Sequence, residues 1–282
     1  MNDATTACWL SDLTMDDPTR KSWSKPKLRR FVHSDKPIEY LELLGEGGEG
    51  AVHRVRIEGA VYALKIFHEY RYVGIPLSEE LKQHTSPLAH ESRAFARLDC
   101  IGENGTWAVK CHGWMKLSDE QLPPINRWDS GYTRWAIVKD YIPDPVQLTH
   151  VPEIRRKMKI ANRAAICPDD ILPRNYQGSF LVDLGSSKTW PYVRGLWSHS
   201  AFDSVFEMTD KSVEDWQIDD LDGSRLVPGD RNRGRREQKE IDQRMRKKAE
   251  ERAKERAEKA VEERLNLKPL PYSDYGERLV ID

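Results

Sequence analysis

Four glycines crowd into six residues, Gly45-Glu46-Gly47-Gly48-Glu49-Gly50, and apolar residues flank them on both sides. Leu41, Leu43 and Leu44 lead in, and Val52, Val55 and Ile57 lead out. Gly45, Gly47 and Gly50 have G-x-G-x-x-G spacing, with Gly48 as a fourth. A dinucleotide site with that spacing needs a helix directly after the last glycine. Here Ala51-Val52-His53-Arg54-Val55-Arg56-Ile57 alternates as a strand does. The loop therefore reads as a flap folded over phosphates, where glycines let the backbone approach oxygens that a side chain would obstruct. A plain hairpin with a flexible turn fits the same residues. After the Glu58-Gly59 turn, Val61-Tyr62-Ala63-Leu64-Lys65-Ile66-Phe67 completes a three-strand meander with a lysine inside an apolar strand. Burying that ammonium is costly unless an anion meets it. A phosphate and a helix carboxylate would each supply one.

Further along, residues 77–98 read as a helix in two pieces split by Pro87, the second with Ala94, Phe95 and Leu98 on one face. Residues 107–114 and 135–142 read as two more strands, joined by a loop holding Pro123-Pro124. Residues 153–165 form a short basic helix. The expected class is α+β, a five-stranded antiparallel lobe followed by a smaller one.

Charged residues make up 32% of the 282, and residues 231–264 concentrate them in a Lys/Arg/Glu tract. There Ile241, Met245, Ala249, Ala253, Ala257, Val261 and Leu265 recur every four residues, with pairs such as Glu240/Arg244 and Glu250/Lys254 at the same spacing. Such pairs support an exposed helix, and at ~1.5 Å per residue the tract is a rod of about 50 Å. Its narrow, alanine-rich stripe fits a solvated charged helix and a partner-binding or coiled-coil one equally. The formal net charge is −1, which argues against a protein that coats nucleic acid. No apolar run approaches the 18 residues of a membrane-spanning helix. The first residues have neither the basic start nor the apolar core of a secretory signal. Cys8, Cys100, Cys111 and Cys167 form no C-x-x-C pair, so no zinc or redox motif is readable, and scattered thiols fit cytosol or nucleus. Basic clusters at 233–236 and 244–248 fit a bipartite nuclear signal as well as a charged helix.

With Val52 two residues after Gly50, and Ala63-Leu64-Lys65 in the third strand, the meander resembles the protein-kinase N-lobe, G-x-G-x-x-G-x-V followed by V-A-I-K. The resemblance implies that Gly45, Gly47, Gly48, Gly50, Val52 and Ala63 enclose ATP and that Lys65 holds its phosphates. Glu91 is the nominated ion-pair partner of Lys65, with Glu79 and Glu80 as competitors. Ala136-Ile137-Val138-Lys139-Asp140 looks like the strand entering the hinge, where Asp140 would stand beside adenine. Asp170-Ile171-Leu172-Pro173-Arg174-Asn175 resembles the catalytic loop, and Asp183-Leu184-Gly185 the magnesium motif. By that likeness Asp170 accepts a substrate hydroxyl proton, Arg174 balances phosphoryl charge, and Asn175 and Asp183 offer oxygen ligands to Mg²⁺. The chain departs from the pattern in three ways. Pro168-Asp169 replaces His-Arg before the catalytic aspartate, no A-P-E follows Asp183, and 30 positions separate Asp140 from Asp170. Residues 186–230 are too few for the usual peptide-docking lobe.

A narrower resemblance is carried by the glycine cluster with Tyr62-Ala63-Leu64-Lys65-Ile66-Phe67, Ala108-Val109-Lys110-Cys111-His112-Gly113-Trp114 and Pro173-Arg174-Asn175-Tyr176. These look like the fungal kinase-like proteins grouped with the Fta-two subunit of the Sim-four kinetochore complex. Polar composition makes residues 1–36 an expected, mostly disordered arm, and the kinase resemblance adds an N-lobe and hinge (37–142) and a reduced C-lobe (143–228) before the charged helix (231–266) and a tail (267–282). The family resemblance implies two functions. One is an ATP–Mg²⁺ phosphotransferase acting on a protein hydroxyl. The other is a pseudokinase serving as a nuclear scaffold through its C-terminal helix. Aminoglycoside-type kinases are a third class, but their histidine-glycine-aspartate loop start is absent. The chain is expected in nucleus or cytoplasm, with a nucleotide and a protein as its partners.

Overall fold

The computed structural model describes residues 7–14, 22–70, 84–123 and 131–191, together with Val213. All of them lie in the first of the two units into which the chain divides, Met1–Asp222. Glu79 and Glu80, the expected 231–266 helix and the 267–282 tail lie outside the described residues.

Strands β1 (Glu39–Glu46), β2 (Gly50–Ile57) and β3 (Ala60–His68) form the expected meander. Its second turn is tight, with Ile57 paired to Ala60, and places Glu58 and Gly59 at φ 48° and 79°. Two consecutive positive φ values match the right-handed twist of a hairpin. Strands β4 (Cys111–Lys116) and β5 (Tyr132–Asp140) complete one antiparallel sheet of order β1-β2-β3-β5-β4. Helix α1 (Pro87–Cys100) lies between β3 and β4 in the chain. Ser86 caps it by accepting the Ala89 N–H at 3.2 Å, and Pro87 fills the first turn, where no N–H is needed. Helix α2 (Val151–Arg163) and four short pairing segments follow. Of these, β6 (Ile166–Cys167) pairs with β9 (Lys188–Thr189), and β7 (Tyr176–Gln177) with β8 (Phe180–Leu181).

Alternation sorts the sheet's side chains. Leu64, Ile66, Ala136 and Val138 enter a cluster with Val55, Met115 and Phe31 on one face. Phe67 and Ile137 join α1 and α2 on the other. Lys65 shares the α1 face, because its neighbours Leu64 and Ile66 take the opposite one. The strand expected at 107–114 begins later. Trp107, Ala108 and Val109 are buried, but the Val109 N–H donates to Leu181 O and Ala108 bridges Leu181. The apolar run signalled burial correctly, and a different partner takes up its backbone.

The expected disordered arm is packed where it is described. Trp9, Leu10, Leu28 and Phe31 are buried. The Phe31 N–H donates to Trp114 O at 2.8 Å, and the Trp114 N–H to Arg29 O at 3.0 Å. This strap covers the outer edge of β4, which otherwise presents unpaired backbone groups. Single apolar residues scattered through a polar stretch hide such docking from a composition-based reading. The strap fits because position 113 is glycine. At φ 133°, a Cβ there would lie 2.5 Å from Arg29 O and 2.8 Å from Phe31 N. Gly113→Ala is expected to cost about 1–3 kcal/mol, as forced backbone shifts do. An unchanged midpoint in urea unfolding would show that the strap is not seated there.

Candidate functional site

Buried at the centre of the α1 face, Lys65 is only 2% exposed. Its Nζ donates to Asp183 Oδ1 at 2.7 Å and Glu49 Oε2 at 3.0 Å. It also stands 2.9 Å from Glu91 Oε2, an ionic contact without hydrogen-bond alignment, since that oxygen has no aligned donor. Glu91 is fully buried on α1. A second lysine, Lys139 of β5, donates to Glu91 Oε1 and to Val182 O, both at 2.7 Å. Two buried ammoniums thus share one buried carboxylate.

Burial works against the Lys65 ammonium, but Glu91, Asp183 and Glu49 overcome it and raise its pKa above the ordinary range. Burial acts to raise the Asp183 carboxyl. The Lys65 and Lys139 charges, with hydrogen bonds from Lys65 and the Gly185 N–H, outweigh it and hold the pKa at about 2. Both groups are therefore ions at neutral pH. Burial raises the Glu49 carboxyl, opposed by Lys65.

Lys65, Lys139 and Asp183 of this cluster line a cleft of about 350 Å³. Leu44, Gly45, Val52 and Ala63 line it from the meander, Asp140 to Pro143 from the end of β5 onward, and Arg174, Asn175 and Val182 from the stretch before Asp183. Within the glycine loop, Gly45, Gly47 and Gly48 have open space where a Cβ would stand, whereas a Cβ at Gly50 would meet Ile66 O at 2.1 Å. Close packing on β3 therefore requires the last glycine. Nothing among the described residues requires the other three on steric grounds.

Asp183 sits just after β8, and its Oδ1 accepts the Gly185 N–H at 2.9 Å. The turn is braced from α1, where His90 Nδ1 lies 2.9 Å from Gly185 O. A carbonyl only accepts, so Nδ1 carries the proton; burial pushes the His90 pKa down to about 4 and keeps the ring neutral. Asp170 stands apart from the Lys65 cluster. Asn175 Nδ2 donates to its O at 2.8 Å and its Oδ2 at 3.0 Å, and Arg174 Nη2 to the same Oδ2 at 3.3 Å. Asp169 pairs with Lys188. Asp140, also in the cleft lining, has its Oδ1 2.6 Å from His112 Nε2.

The structure thus brings Lys65, Glu91 and Asp183 together, keeps Asp170, Arg174 and Asn175 as a second group, and pairs Asp140 with His112. Sequence reasoning missed Glu49 and Lys139 as members of the cluster. Lys139 carried a signal, because it too is a lysine in an apolar strand, Trp135-Ala136-Ile137-Val138-Lys139. Among the described residues no three His, Cys, Asp or Glu side chains group to hold a metal by themselves. No helix of the described residues is long and apolar enough to cross a membrane.

The model of one protein family, described as kinetochore Sim4 complex subunit FTA2, matches residues 13–188. The match runs from the strap through the sheet, the cleft and both aspartates to the first residue of β9. No curated protein matches the chain.

Proposed function

This chain belongs to the family of the kinetochore Sim4 complex subunit FTA2, and on that premise we propose that it is a nuclear scaffold subunit of the kinetochore type, built on a kinase-like domain with a ligand-binding cleft. The observation that carries the reading is the extent of the family match, which takes in nearly the whole described domain up to Lys188. Protein partners follow from membership in a complex, and the 231–266 tract is the proposed attachment element. Support for a kinase-like domain comes from the sheet order, from α1 between β3 and β4, and from Lys65 of β3 beside Glu91 of α1.

In this reading the cleft takes a magnesium-bound nucleotide as a stabilising ligand. Lys65 stands beside the open glycine loop and holds a hydrogen bond to a partly exposed carboxylate, Asp183. Asp183 and Asn175 offer a carboxylate and an amide oxygen, hard ligands of the kind Mg²⁺ takes together with phosphate oxygens. When bound, the metal would neutralise phosphate charge. The Lys65 ammonium would orient the phosphates, and the segment from Asp140 to Pro143 would flank the base.

A second reading, phosphotransfer to a protein hydroxyl, is favoured by one observation. Asp170 is fixed by Asn175 and Arg174 beside the cleft rather than spent on the Lys65 cluster.

The test has two arms. A fluorescent fusion of the full chain in its native cells is expected at centromeres, and exclusion from the nucleus would overturn the scaffold reading. Mg-ATP is expected to raise the thermal midpoint of wild type but not of Lys65→Met. Bound ligand at 100-fold over Kd adds about 2.7 kcal/mol of stability, so a flat response in wild type and in Glu49→Gln alike would remove the nucleotide from the reading.

A further inference from the structure

Two glutamates punctuate the glycine loop, and they point to different places. Glu46 accepts a hydrogen bond from the Tyr132 hydroxyl on the outer side. Glu49 turns inward, and its carboxylate reaches Lys65 Nζ at 3.0 Å. It packs so closely on the turn after Asp183 that a Cβ on Gly185 would lie 1.8 Å from Glu49 Oε2. The backbone beneath it is fixed, since the His68 N–H donates to Glu49 O and the Gly47 N–H to Gly50 O, both at 2.9 Å. Only the side chain is free to leave.

The three carboxylates around Lys65 differ in how they are held. Glu91 is fully buried on a helix and clamped by Lys139. Asp183 is tied to the Gly185 N–H. The Glu49 carboxylate has no hydrogen bond but the one from Lys65 among those described, and its side chain is one-third exposed. With two lysines and three carboxylates, the cluster holds one more acid than base. An entering phosphate would meet that excess at the oxygen nearest the loop.

We infer that Glu49 occupies the place of a phosphate on Lys65, so that a polyphosphate-bearing ligand enters the cleft only by displacing the Glu49 carboxylate. The inference rests on the nucleotide reading of the cleft and adds an internal competitor to it. Withdrawal of Glu49 frees one Lys65 hydrogen for a phosphate oxygen, removes a like charge from beside it, and leaves the Glu91 and Asp183 contacts intact. The open space at Gly47 and Gly48 gives the incoming phosphates backbone to approach once the side chain has swung out.

The experiment is calorimetric titration of the full chain with Mg-ATP, tripolyphosphate and adenosine, in wild type, Glu49→Gln, Glu49→Ala and Lys65→Met. Glutamine keeps the shape of the side chain and removes its charge. Both Glu49 variants are expected to bind Mg-ATP and tripolyphosphate roughly tenfold more tightly than wild type, the size expected of one repulsion at a partly screened site. Adenosine, which has no phosphate, is expected to bind all the Glu49 forms alike. Binding only by the Glu49 variants, with none by wild type, would support the inference most strongly. If wild-type binding depends on Lys65 but neither Glu49 variant gains, Glu49 is no competitor, and the inference falls while the nucleotide reading stands. An equal gain for adenosine would also overturn it. Absence of Mg-ATP binding in wild type and both Glu49 variants would overturn the inference and the nucleotide reading together.

Discussion

Glu91→Leu is expected to destabilise the domain by about 3–5 kcal/mol, the loss that follows when one member of a buried ion pair is removed. Glu91 is 0% exposed and meets Lys65 Nζ at 2.9 Å and Lys139 Nζ at 2.7 Å. The two lysines fare differently without it. Lys65 keeps Asp183 and Glu49, whereas Lys139 keeps only the Val182 carbonyl among the hydrogen bonds described. Most of the loss therefore comes from Lys139. The double variant Glu91→Leu/Lys139→Met is expected to recover the larger part, because an apolar pair of similar volume needs no counter-charge. Urea unfolding of the wild type, both single variants and the double variant closes the cycle. Since native domains are stable by only about 5–15 kcal/mol, the single Glu91 variant is at risk of unfolding, and an additive cycle would show that the two residues do not depend on each other.

That cluster marks the boundary of what the sequence disclosed. Lys65 stood out because a continuous apolar strand, Val61 to Phe67, left no reason for a charge except a buried partner. Glu91 could be nominated because it opens the helical piece after Pro87, but the register that sets it against Glu79 and Glu80 was not legible; the structure starts the helix at the Ser86 cap and Pro87. Lys139 carried the same signal as Lys65, but it was absorbed into a strand expected to serve adenine. Glu49 carried none, since a loop glutamate between glycines reads as solvated until the fold brings Gly185 against it. The sheet was legible from its period of two and its turns. The strap was not, because Trp9, Leu10, Leu28 and Phe31 each stand among polar neighbours, and only the tertiary edge of β4 gives them a common partner. Spacing in sequence can order a cleft's parts along the chain. It cannot say which of several carboxylates reaches a lysine 16, 26 or 118 positions away in the chain.

Asp183→Asn and Asp170→Asn are expected to fail differently, and the difference separates a scaffold from an enzyme. Asp183 faces the cleft with its side chain 37% exposed and holds Lys65 at 2.7 Å. Its neutral amide keeps the shape, loses the ion pair and offers a weaker metal ligand, so Mg-ATP binding itself should weaken. Asp170 has no described contact with Lys65. Its Oδ2 takes Asn175 and Arg174, so Asp170→Asn should leave Mg-ATP affinity near that of wild type. If the domain transfers phosphate, Asp170 is the base that accepts the acceptor's proton, and turnover in the variant should drop by ~10²–10⁴-fold. ATP hydrolysis or autophosphorylation reads that turnover without an identified acceptor. The scaffold reading expects wild type to bind Mg-ATP with turnover no higher than that of Asp170→Asn. In the proposed kinase-like reading, Asp169, already paired with Lys188, weighs on the same side, since it puts a negative charge where that resemblance expects an arginine. A wild-type rate at least about a hundredfold above Asp170→Asn, the lower end of what a general base contributes, would favour the enzyme instead. The glycine loop, Lys65 and Asp183 would then serve a reaction rather than a ligand-stabilised platform.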